Sequence, residues 1–415
     1  MNTDVQTSEP IGAATSQKSQ IFALFLVVFI SLLGFGIVLP VFPFFGTMVG
    51  ATPAQITLAM AAYSLGQFIG APVWGQLSDK YGRRPILLAS LAASAAAYIL
   101  MAHATDIWTL GISRLIGGLM AGNIAAAFAY VGDVTDDTTR PRAMGLLGAA
   151  FGMGFIFGPA IGGFIGGGEA DADSFLYIGY VSAFFTMIAA FCTFAFVQES
   201  LTPERRRAAA AQKGTPSAFT AVTLLKAKPI VLWLTVLSLL VIGAGSLFEA
   251  TFAFFTSDRF DWGPREIGLS FGLLGAIAAV TQAVLVGPLV RFFGEAQVMC
   301  GSLLIYAAGT AGIGFATNEL LLPIALMFNA LGIGLFSPAY QSYTAAQSND
   351  ADRGLVMGLT QAAGSLGRVV GPVAGGMLYA GIGPASPFYS GGVIMVVSLL
   401  LGSYTVWRYG AKART

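Results

Sequence analysis

Long apolar runs separated by short polar segments dominate this chain. Each of twelve runs holds about 20 or more predominantly apolar residues, the length that crosses the hydrocarbon core of a bilayer as an α-helix. They cover residues 21–45, 54–77, 85–104, 107–131, 142–166, 175–197, 229–256, 265–288, 297–316, 320–344, 354–380 and 387–407. The pattern therefore predicts an all-α integral membrane protein with twelve transmembrane helices.

The two halves of the chain repeat each other. The pattern GxxxGPxxGG occurs at 154–163 and again at 367–376, and its central glycine moves from Gly158 to Gly371, a shift of 213 residues. A second pair of segments, 75–82 and 287–294, agrees within one residue of that shift. Such internal duplication is how many secondary transporters are built, and it predicts two pseudo-symmetric six-helix bundles.

The domain boundaries follow from the polar breaks. We expect a polar cytoplasmic tail at 1–20, an N-terminal bundle at 21–197 and a cytoplasmic linker at 198–228. The C-terminal bundle then covers 229–407, and 408–415 forms a second cytoplasmic tail. The linker carries three consecutive arginines and could contain an amphipathic helix on the membrane surface.

Composition supports a membrane protein and excludes several other classes. Hydrophobic residues make up 56% and charged residues 10% of the chain, against about 25% charged residues in soluble domains. The single histidine, His103, and the two cysteines, Cys192 and Cys300, which lie in apolar runs, give no basis for a metal site or a disulfide framework. No phosphate-binding loop of the form GxxxxGK[ST] occurs, so transport driven by ATP is not expected. We expect no other cofactor. The net charge of +1 gives no reason to expect a nucleic-acid partner.

The basic residues predict the orientation. If both termini are cytoplasmic, all but four of the 21 Lys and Arg residues fall on that side. The four are Arg114 and Arg368, inside spans, and Arg259 and Arg265, in loops of the opposite side, where acidic residues collect. By the positive-inside rule this predicts a multi-pass protein of the cell (inner) membrane with both termini in the cytoplasm.

The segment between the second and third spans identifies a family. Residues 75–85 read GQLSDKYGRRP, in which the glycines permit a tight turn and Asp79 stands among basic side chains. A positive-inside loop would explain the arginines but not Asp79. The segment resembles the GxLaDrxGrrxxl signature of the major facilitator superfamily, and the resemblance extends over all twelve spans. It implies two six-helix bundles around a midplane cavity, alternating access and, by default, a monomer.

The resemblance also implies a conformational latch. Its residues would be Gly75, Asp79, Gly82, Arg83 and Asp133. The family pattern places Asp79 at the N-terminus of the eleventh helix and Arg83 beside an acid that ends the fourth, here Asp133. A carboxylate is favoured at a helix N-terminus, so this contact could form when the bundles close on the cytoplasmic side and break when they open.

The glycine motif of the fifth span indicates the direction of transport. It comprises Gly154, Gly158, Pro159, Gly162 and Gly163. Its glycines permit close helix packing and its proline bends the helix, so a kinked packing helix is one interpretation. By resemblance, however, the motif characterises exporters, chiefly drug:proton antiporters. The chain looks like the twelve-helix tetracycline and multidrug branch, except that Ser31 stands where tetracycline antiporters carry an aspartate, which places tetracycline itself in doubt.

Three charges are predicted inside the membrane. Glu249 is the only carboxylate inside an apolar run rather than at its end, Arg368 lies in the eleventh span, and Arg114 lies in an RxxxGxxxA-like stretch of the fourth. Intramembrane charges are costly and commonly functional, so we expect these three residues at comparable depth and in proton coupling, with proton or substrate coupling both open for Arg114. The alternatives are a permanent ion pair for Glu249 and backbone capping for Arg114. A helical count of 100° per residue also predicts that Asn123 and Arg114 point to opposite sides.

The substrate path is predicted from polar and aromatic residues within the spans. The candidate cavity residues are Phe35, Tyr63, Gln67, Phe252, Gln282, Asn329, Tyr340 and Gln361. An aromatic cavity with few polar groups suits amphipathic compounds, so the sequence favours proton-coupled efflux of hydrophobic or amphipathic small molecules such as drugs. A proton-coupled uptake symporter for a metabolite is the alternative on the same fold. A membrane enzyme would need clustered catalytic or metal-binding groups, which the sequence does not offer.

Overall fold

The computed structural model describes residues 11–136, 138–201, 218–349 and 352–409, and within them it is helical without strands. The elements of the N-terminal half are α1 (Ile11–Val38), α2 (Phe42–Met48), α3 (Pro53–Tyr81), α4 (Arg83–Ala102), α5 (Ile107–Met120), α6 (Asn123–Val134), α7 (Arg140–Gly166) and α8 (Ala172–Phe196). Helix α9 (Ala218–Ala227) precedes the C-terminal half, and residues 202–217 of the predicted linker lie outside the described part.

The second half repeats this arrangement. Its elements are α10 (Pro229–Phe260), α11 (Pro264–Val280), a π-helical turn (Thr281–Leu285), α12 (Val286–Phe293), α13 (Glu295–Phe315), α14 (Leu321–Ala346), α15 (Arg353–Gly381) and α16 (Ser386–Tyr409). In lipid, a helix satisfies its own backbone hydrogen bonds, which explains why apolar runs of this length fold this way.

Eleven described segments are long and apolar enough to cross a membrane. The remaining predicted span, the eleventh, corresponds to α15, which has 29 residues but is more polar. It contains Arg353, Gln361 and Arg368 and several glycines. It nevertheless packs along α10 as the other spans pack within their bundles, so we treat it as the twelfth spanning helix.

Several predicted boundaries change. The segment predicted as a loop at 75–85 is mostly helix, because α3 continues to Tyr81 and the turn is confined to Gly82, with φ of 111°. Gly294, its counterpart 212 residues later, also has positive φ, 86°. Glycine adopts this conformation without the steric cost that a side chain adds. The predicted repeat is thus present in the backbone at both turns.

The fourth span is broken rather than continuous. Helix α5 ends at Met120 and α6 begins at Asn123, with Gly122 packed against the ring of Trp74. The count of 100° per residue that predicted opposite directions for Asn123 and Arg114 assumed one unbroken helix, so that prediction is wrong. Asn123 instead lines a cavity together with Tyr63, a residue that Arg114 contacts.

The helices form two pseudo-symmetric bundles. In the first half, α1 packs on α7 and α8, α3 on α5, and α4 on α8. In the second half, α10 packs correspondingly on α15 and α16, and α13 on α14 and α16. Between the halves, the main contacts join α7 with α11 and α3 with α15.

Among the described residues, the close contacts between the bundles that involve glycines lie toward one side of the membrane domain. Contacts between the halves run from the middle to the end of α7, where Gly163 meets Gly268, and they include the start of α3, where Thr57 meets Gly376. The backbone N–H of Arg265 also donates to the Gly167 carbonyl at 3.0 Å. At the other ends of the same helices, glycines such as Gly148 and Gly358 have nothing within 4 Å of a notional Cβ. We call these the closed side and the open side.

The apolar core reflects this shape. One cluster of buried residues draws on both halves at the closed side and includes Val41, Phe42, Phe252 and Phe255. Two further clusters lie each within one half, nearer the open side. A shared core at one side and separate cores at the other describe a cleft between the bundles that opens on one side.

Candidate functional site

A charged cluster lies at the open side of the N-terminal bundle. The Arg83 guanidinium is buried, and its Nη1 lies 2.6 Å from Asp79 Oδ1 while its Nε lies 2.9 Å from Asp133 Oδ2. The turn at Gly82 places Arg83 at the first position of α4, and Asp133 comes from the end of α6. Arg83 therefore ties the ends of the second, third and fourth spans together.

Sequence reasoning missed one member of this cluster. Glu199, just after α8, accepts hydrogen bonds from the backbone N–H groups of Arg83 at 2.9 Å and Arg84 at 3.2 Å. The first N–H groups of a helix have no partner within the helix, and a carboxylate there is favourable. Ser200 adds a hydrogen bond to Asp133 at 3.0 Å. A lone acid after the sixth apolar run was the only sequence signal for this contact.

The predicted contact of Asp79 with the eleventh span is not made in this conformation. Within the described residues, the Asp79 carboxylate accepts its only hydrogen bond from Arg83. The Asp79 side chain is 51% exposed. Gly75 likewise has nothing within 4 Å of a notional Cβ. Both residues lie on the open side, where the bundles are separated, so a partner in the other half is out of reach.

A second ion pair at the open side lies in the C-terminal half. Lys228, before α10, lies 2.5 Å from Asp352, which precedes α15. Chiefly through the hydrogen bond from Lys228, the pKa of Asp352 is held below its usual value, so this carboxylate is ionised at neutral pH. The pair links the starts of the seventh and eleventh spans.

The glycine motif of α7 serves two different contacts. Gly154, Gly158 and Gly162 pack on α1, where a Cβ on Gly158 would lie 2.7 Å from the Gly36 Cα. Gly163 instead faces the other bundle, where its Cβ would lie 2.7 Å from the Pro264 carbonyl oxygen and 2.9 Å from the Gly268 Cα. Pro159 lies within the helix, which continues through it.

The repeated motif in α15 has the same division of roles. Gly367, Gly371 and Gly375 pack on α10, and Gly376 faces α3 of the other bundle. A Cβ on Gly376 would lie 3.0 Å from the Ala54 Cα and in closer conflict with the Thr57 hydroxyl. The two motifs thus line the two interfaces that close one side of the cleft.

Glu249 and Arg368 lie near each other in the C-terminal bundle. Glu249 is exposed, although both its neighbours, Phe248 and Ala250, are buried. Arg368 lies within electrostatic range of Glu249. These two described side chains make no ion pair within 4.0 Å, and Arg368 Nη2 donates to Ser365 Oγ at 3.1 Å. The permanent ion pair considered from the sequence is therefore not formed in this conformation.

The depth of Glu249 along its helix can be compared with the two kinds of core. Glu249 lies 20 residues after the start of α10, about 30 Å along the axis at 1.5 Å per residue. Phe248 belongs to the core shared by both halves, whereas Ala244, just before it, belongs to the core of the C-terminal half alone. The exposed Glu249 side chain therefore lies at the level where the shared core gives way to the separate cores.

Arg114 is not part of that pair. Its guanidinium lies over three rings of the N-terminal bundle, those of Tyr63 at 4.6 Å, Phe42 at 5.3 Å and Phe35 at 5.8 Å. The described ionisable groups within electrostatic range of it are Tyr63 and Tyr98. The three intramembrane charges expected together are therefore divided between the bundles.

The candidate cavity residues separate into two groups. The rings of Phe35 and Tyr63 lie 4.8 Å apart between centroids, tilted by 35°, and line a cavity in the N-terminal bundle, with Gln67 one turn farther along α3. Gln282, on the π-helical turn, and Gln361, on α15, are exposed. These five positions remain candidates for contact with a substrate.

Three other predicted cavity residues are buried in this conformation and line no cleft here. Asn329 is buried and donates to Thr310 Oγ1 at 3.0 Å between α14 and α13. Tyr340 is buried and donates to the Leu234 carbonyl at 2.8 Å. Phe252 is fully buried in the shared core at the closed side. A polar or aromatic residue in a span satisfies its hydrogen bond or fills a core as readily as it lines a cavity.

Comparison with known proteins gives consistent results over the whole chain. The family model of the Major Facilitator Superfamily matches residues 24–291 and 250–415. The class C tetracycline resistance protein of Escherichia coli is 32% identical over 388 residues, which covers 92% of this chain and 94% of that protein. Multidrug resistance protein 2 of Bacillus subtilis (strain 168) is 29% identical over 399 residues, covering 94% and 96%. The crystal structure of the human organic anion transporter MFSD10 (TETRAN) matches with a TM-score of 0.68 at 23% identity, covering 95% of this chain and all of that one.

Proposed function

This chain belongs to the Major Facilitator Superfamily and is an efflux transporter of that superfamily, and we propose that it couples export of hydrophobic or amphipathic small molecules to inward proton movement. The observation that carries the proposal is Glu249, an exposed carboxylate near Arg368 at the level where the shared core gives way to the separate cores. The names of the relatives support drugs, including tetracycline-like compounds, as the substrate class.

The proposed orientation is that of a multi-pass cell (inner) membrane protein with its open side in the cytoplasm. The first and last described spans both have their outer chain ends on the open side, together with Lys80, Arg83, Arg291 and Arg353. Acidic residues of the opposite loops lie at the closed side. The positive-inside rule then makes both termini cytoplasmic, and the conformation described here is inward-open.

The proposed cycle uses Glu249 as the proton carrier. In the inward-open state Glu249 faces the cytoplasmic cleft and releases its proton, and the nearby Arg368 stabilises the resulting carboxylate. Substrate enters from the same side. When the contacts at Gly163 and Gly376 separate and the open side closes, the cleft faces outward, substrate leaves, and Glu249 takes up a proton from outside. Arg83, Asp79 and Asp133 then act as the latch that closes on the cytoplasmic side.

The test is transport in proteoliposomes under an imposed pH gradient. Tetracycline and the cationic dye ethidium are offered separately, with and without a protonophore. Wild-type protein should move substrate against its gradient only while the pH gradient lasts. Glu249→Gln should lose this coupled transport but keep exchange of labelled for unlabelled substrate, because exchange needs binding and alternation without a net proton. Glu169→Gln, the same chemical change in an exposed loop, should behave as wild type.

Two results would contradict the proposal. Full proton-driven transport by Glu249→Gln would reject Glu249 as the carrier. Transport of substrate by wild type that is indifferent to the protonophore would reject proton coupling itself.

A further inference from the structure

The Arg114 side chain carries a buried charge that the proposed proton cycle does not use. It is 6% exposed, and its Nε is buried without a hydrogen-bond partner. Among the described residues, no carboxylate contacts Arg114, and the Arg114 guanidinium donates no hydrogen bond. A charge taken out of water in this way is costly unless it finds a partner.

The three surrounding rings satisfy Arg114 only in part. A cation–π contact uses the face of the guanidinium, and Tyr63, Phe42 and Phe35 all lie within 6 Å of its central carbon. The N–H donors lie in the plane of the guanidinium and point elsewhere. The ring cage therefore holds the side chain in position and leaves hydrogen-bonding capacity unused.

A partly open cavity lies beside this cage. Phe35 and Tyr63 are shared between the two, and Tyr98, within electrostatic range of Arg114, lines the cavity as well. The Tyr63 and Tyr98 hydroxyls have no hydrogen-bond partner among the described residues. Ser31 accepts from Asn123 at 2.7 Å, which leaves the Ser31 hydroxyl hydrogen free to donate. The lining thus offers several donors and no carboxylate.

We propose that Arg114 and this cavity form a subsite for an anionic oxygen, the carboxylate, sulfonate or ionised enol of an otherwise apolar substrate. This inference rests on the proposed function and names its substrate class. A negative oxygen would accept from the guanidinium and the phenols, and it would neutralise a charge that the protein leaves unpaired. A cationic group would meet repulsion at the same place. The cavity has a volume of about 20 Å³, room for one oxygen-sized group, so the negative oxygen alone would enter it and the apolar remainder would lie outside.

The test measures binding rather than transport. Pyrenebutyrate and its uncharged analogue pyrenebutyramide are compared by equilibrium dialysis against protein in lipid nanodiscs, with empty nanodiscs subtracted. Hydrogen bonds to charged groups predict that the carboxylate binds about 10- to 100-fold more tightly than the amide. In Arg114→Gln that ratio should fall to about one, and Arg114→Lys should keep part of it. The control is Arg265→Gln, which removes an exposed arginine that also covers a ring, that of Phe164, and should leave the ratio unchanged.

Each outcome decides the inference. A ratio near one in wild type would overturn it without any variant, and so would an undiminished ratio in folded Arg114→Gln. If Arg114→Gln does not fold, Tyr63→Phe serves instead and should lower the ratio by removing one donor. Failure here, with proton-driven export of tetracycline or ethidium intact in proteoliposomes, would reject the anionic subsite and leave the proposed function standing.

Discussion

Adding one methyl group at Gly163 should shift the balance between the two conformations of the transporter. Gly163 contacts the other bundle only where the closed side is sealed, and an alanine Cβ there would lie 2.7 Å from the Pro264 carbonyl oxygen and 2.9 Å from the Gly268 Cα. Both atoms belong to backbone, so no side chain can rotate away. The fifth and eighth spans would have to move apart.

The free-energy cost of the added methyl group can be estimated from the known cost of overpacking a protein core. Extra methylene groups in a well-packed site cost about 1–3 kcal/mol, and here only the conformation with the closed side sealed bears that cost. Its population relative to the outward-open state should fall by roughly 5- to 150-fold. Gly152→Ala, in the same helix but with nothing within 4 Å, should have no effect. Gly158→Ala packs against Gly36 within one bundle, so it should lower stability without favouring either state.

Distances between spin labels at the open side would measure the shift. Labels at Tyr81→Cys and Phe293→Cys, which occupy equivalent places in the two halves and are 52% and 55% exposed, would be introduced after replacing Cys192 and Cys300. Gly163→Ala should enrich the short distance between the labels that corresponds to closure of the open side. A distance distribution identical to that of Gly152→Ala would refute the assignment of Gly163 to a conformation-dependent interface.

Three further predictions concern Gly376, Asp133 and Asn329. Gly376→Ala, in the repeated motif, should shift the label distances in the same direction as Gly163→Ala, whereas an unchanged distribution would mean that the second interface does not separate. Asp133→Asn should lower the free energy of unfolding in detergent by about 1–3 kcal/mol, because it removes the partner of a buried guanidinium; equal stability in Asp133→Asn and Glu169→Gln would contradict this. Asn329→Ala should cost a similar ~1–3 kcal/mol and leave the order of substrate preferences unchanged, as measured by thermal unfolding and competition binding, and an altered preference would return Asn329 to the cavity.

Much of the fold could be predicted from the sequence because membrane physics is local. A span must be long and apolar, and its helix satisfies its own backbone, so the apolar runs mark the helices. The least apolar of them, α15, is where the pattern weakens, since this helix carries Gln361 and Arg368. The repeated segments that contain Gly82 and Gly294 also indicated equivalent turns, and both glycines have positive φ.

The candidate site could be predicted only in part, because residue type does not say which neighbour a side chain meets. Asn329 and Tyr340 were assigned to a cavity, and each instead makes a buried hydrogen bond within its bundle. Asn123 was assigned to the side opposite Arg114 on the assumption of a continuous helix. The break at Ala121 and Gly122 is not visible in the hydropathy of the fourth span. Glu199 was overlooked because a single acid has no distinguishing pattern.

The sequence by itself determined that this protein crosses a membrane many times, that its two halves are duplicated, and that Glu249 is the one carboxylate inside an apolar run rather than at its end. Only the tertiary structure decided that Arg114 lies apart from Glu249 among aromatic rings, and that the fourth glycine of each motif faces the opposite bundle. The physical reason is that burial in lipid is a property of each segment, read from its own residues. Charge pairing and close packing are properties of two segments, and they exist only once the chain has brought those segments together.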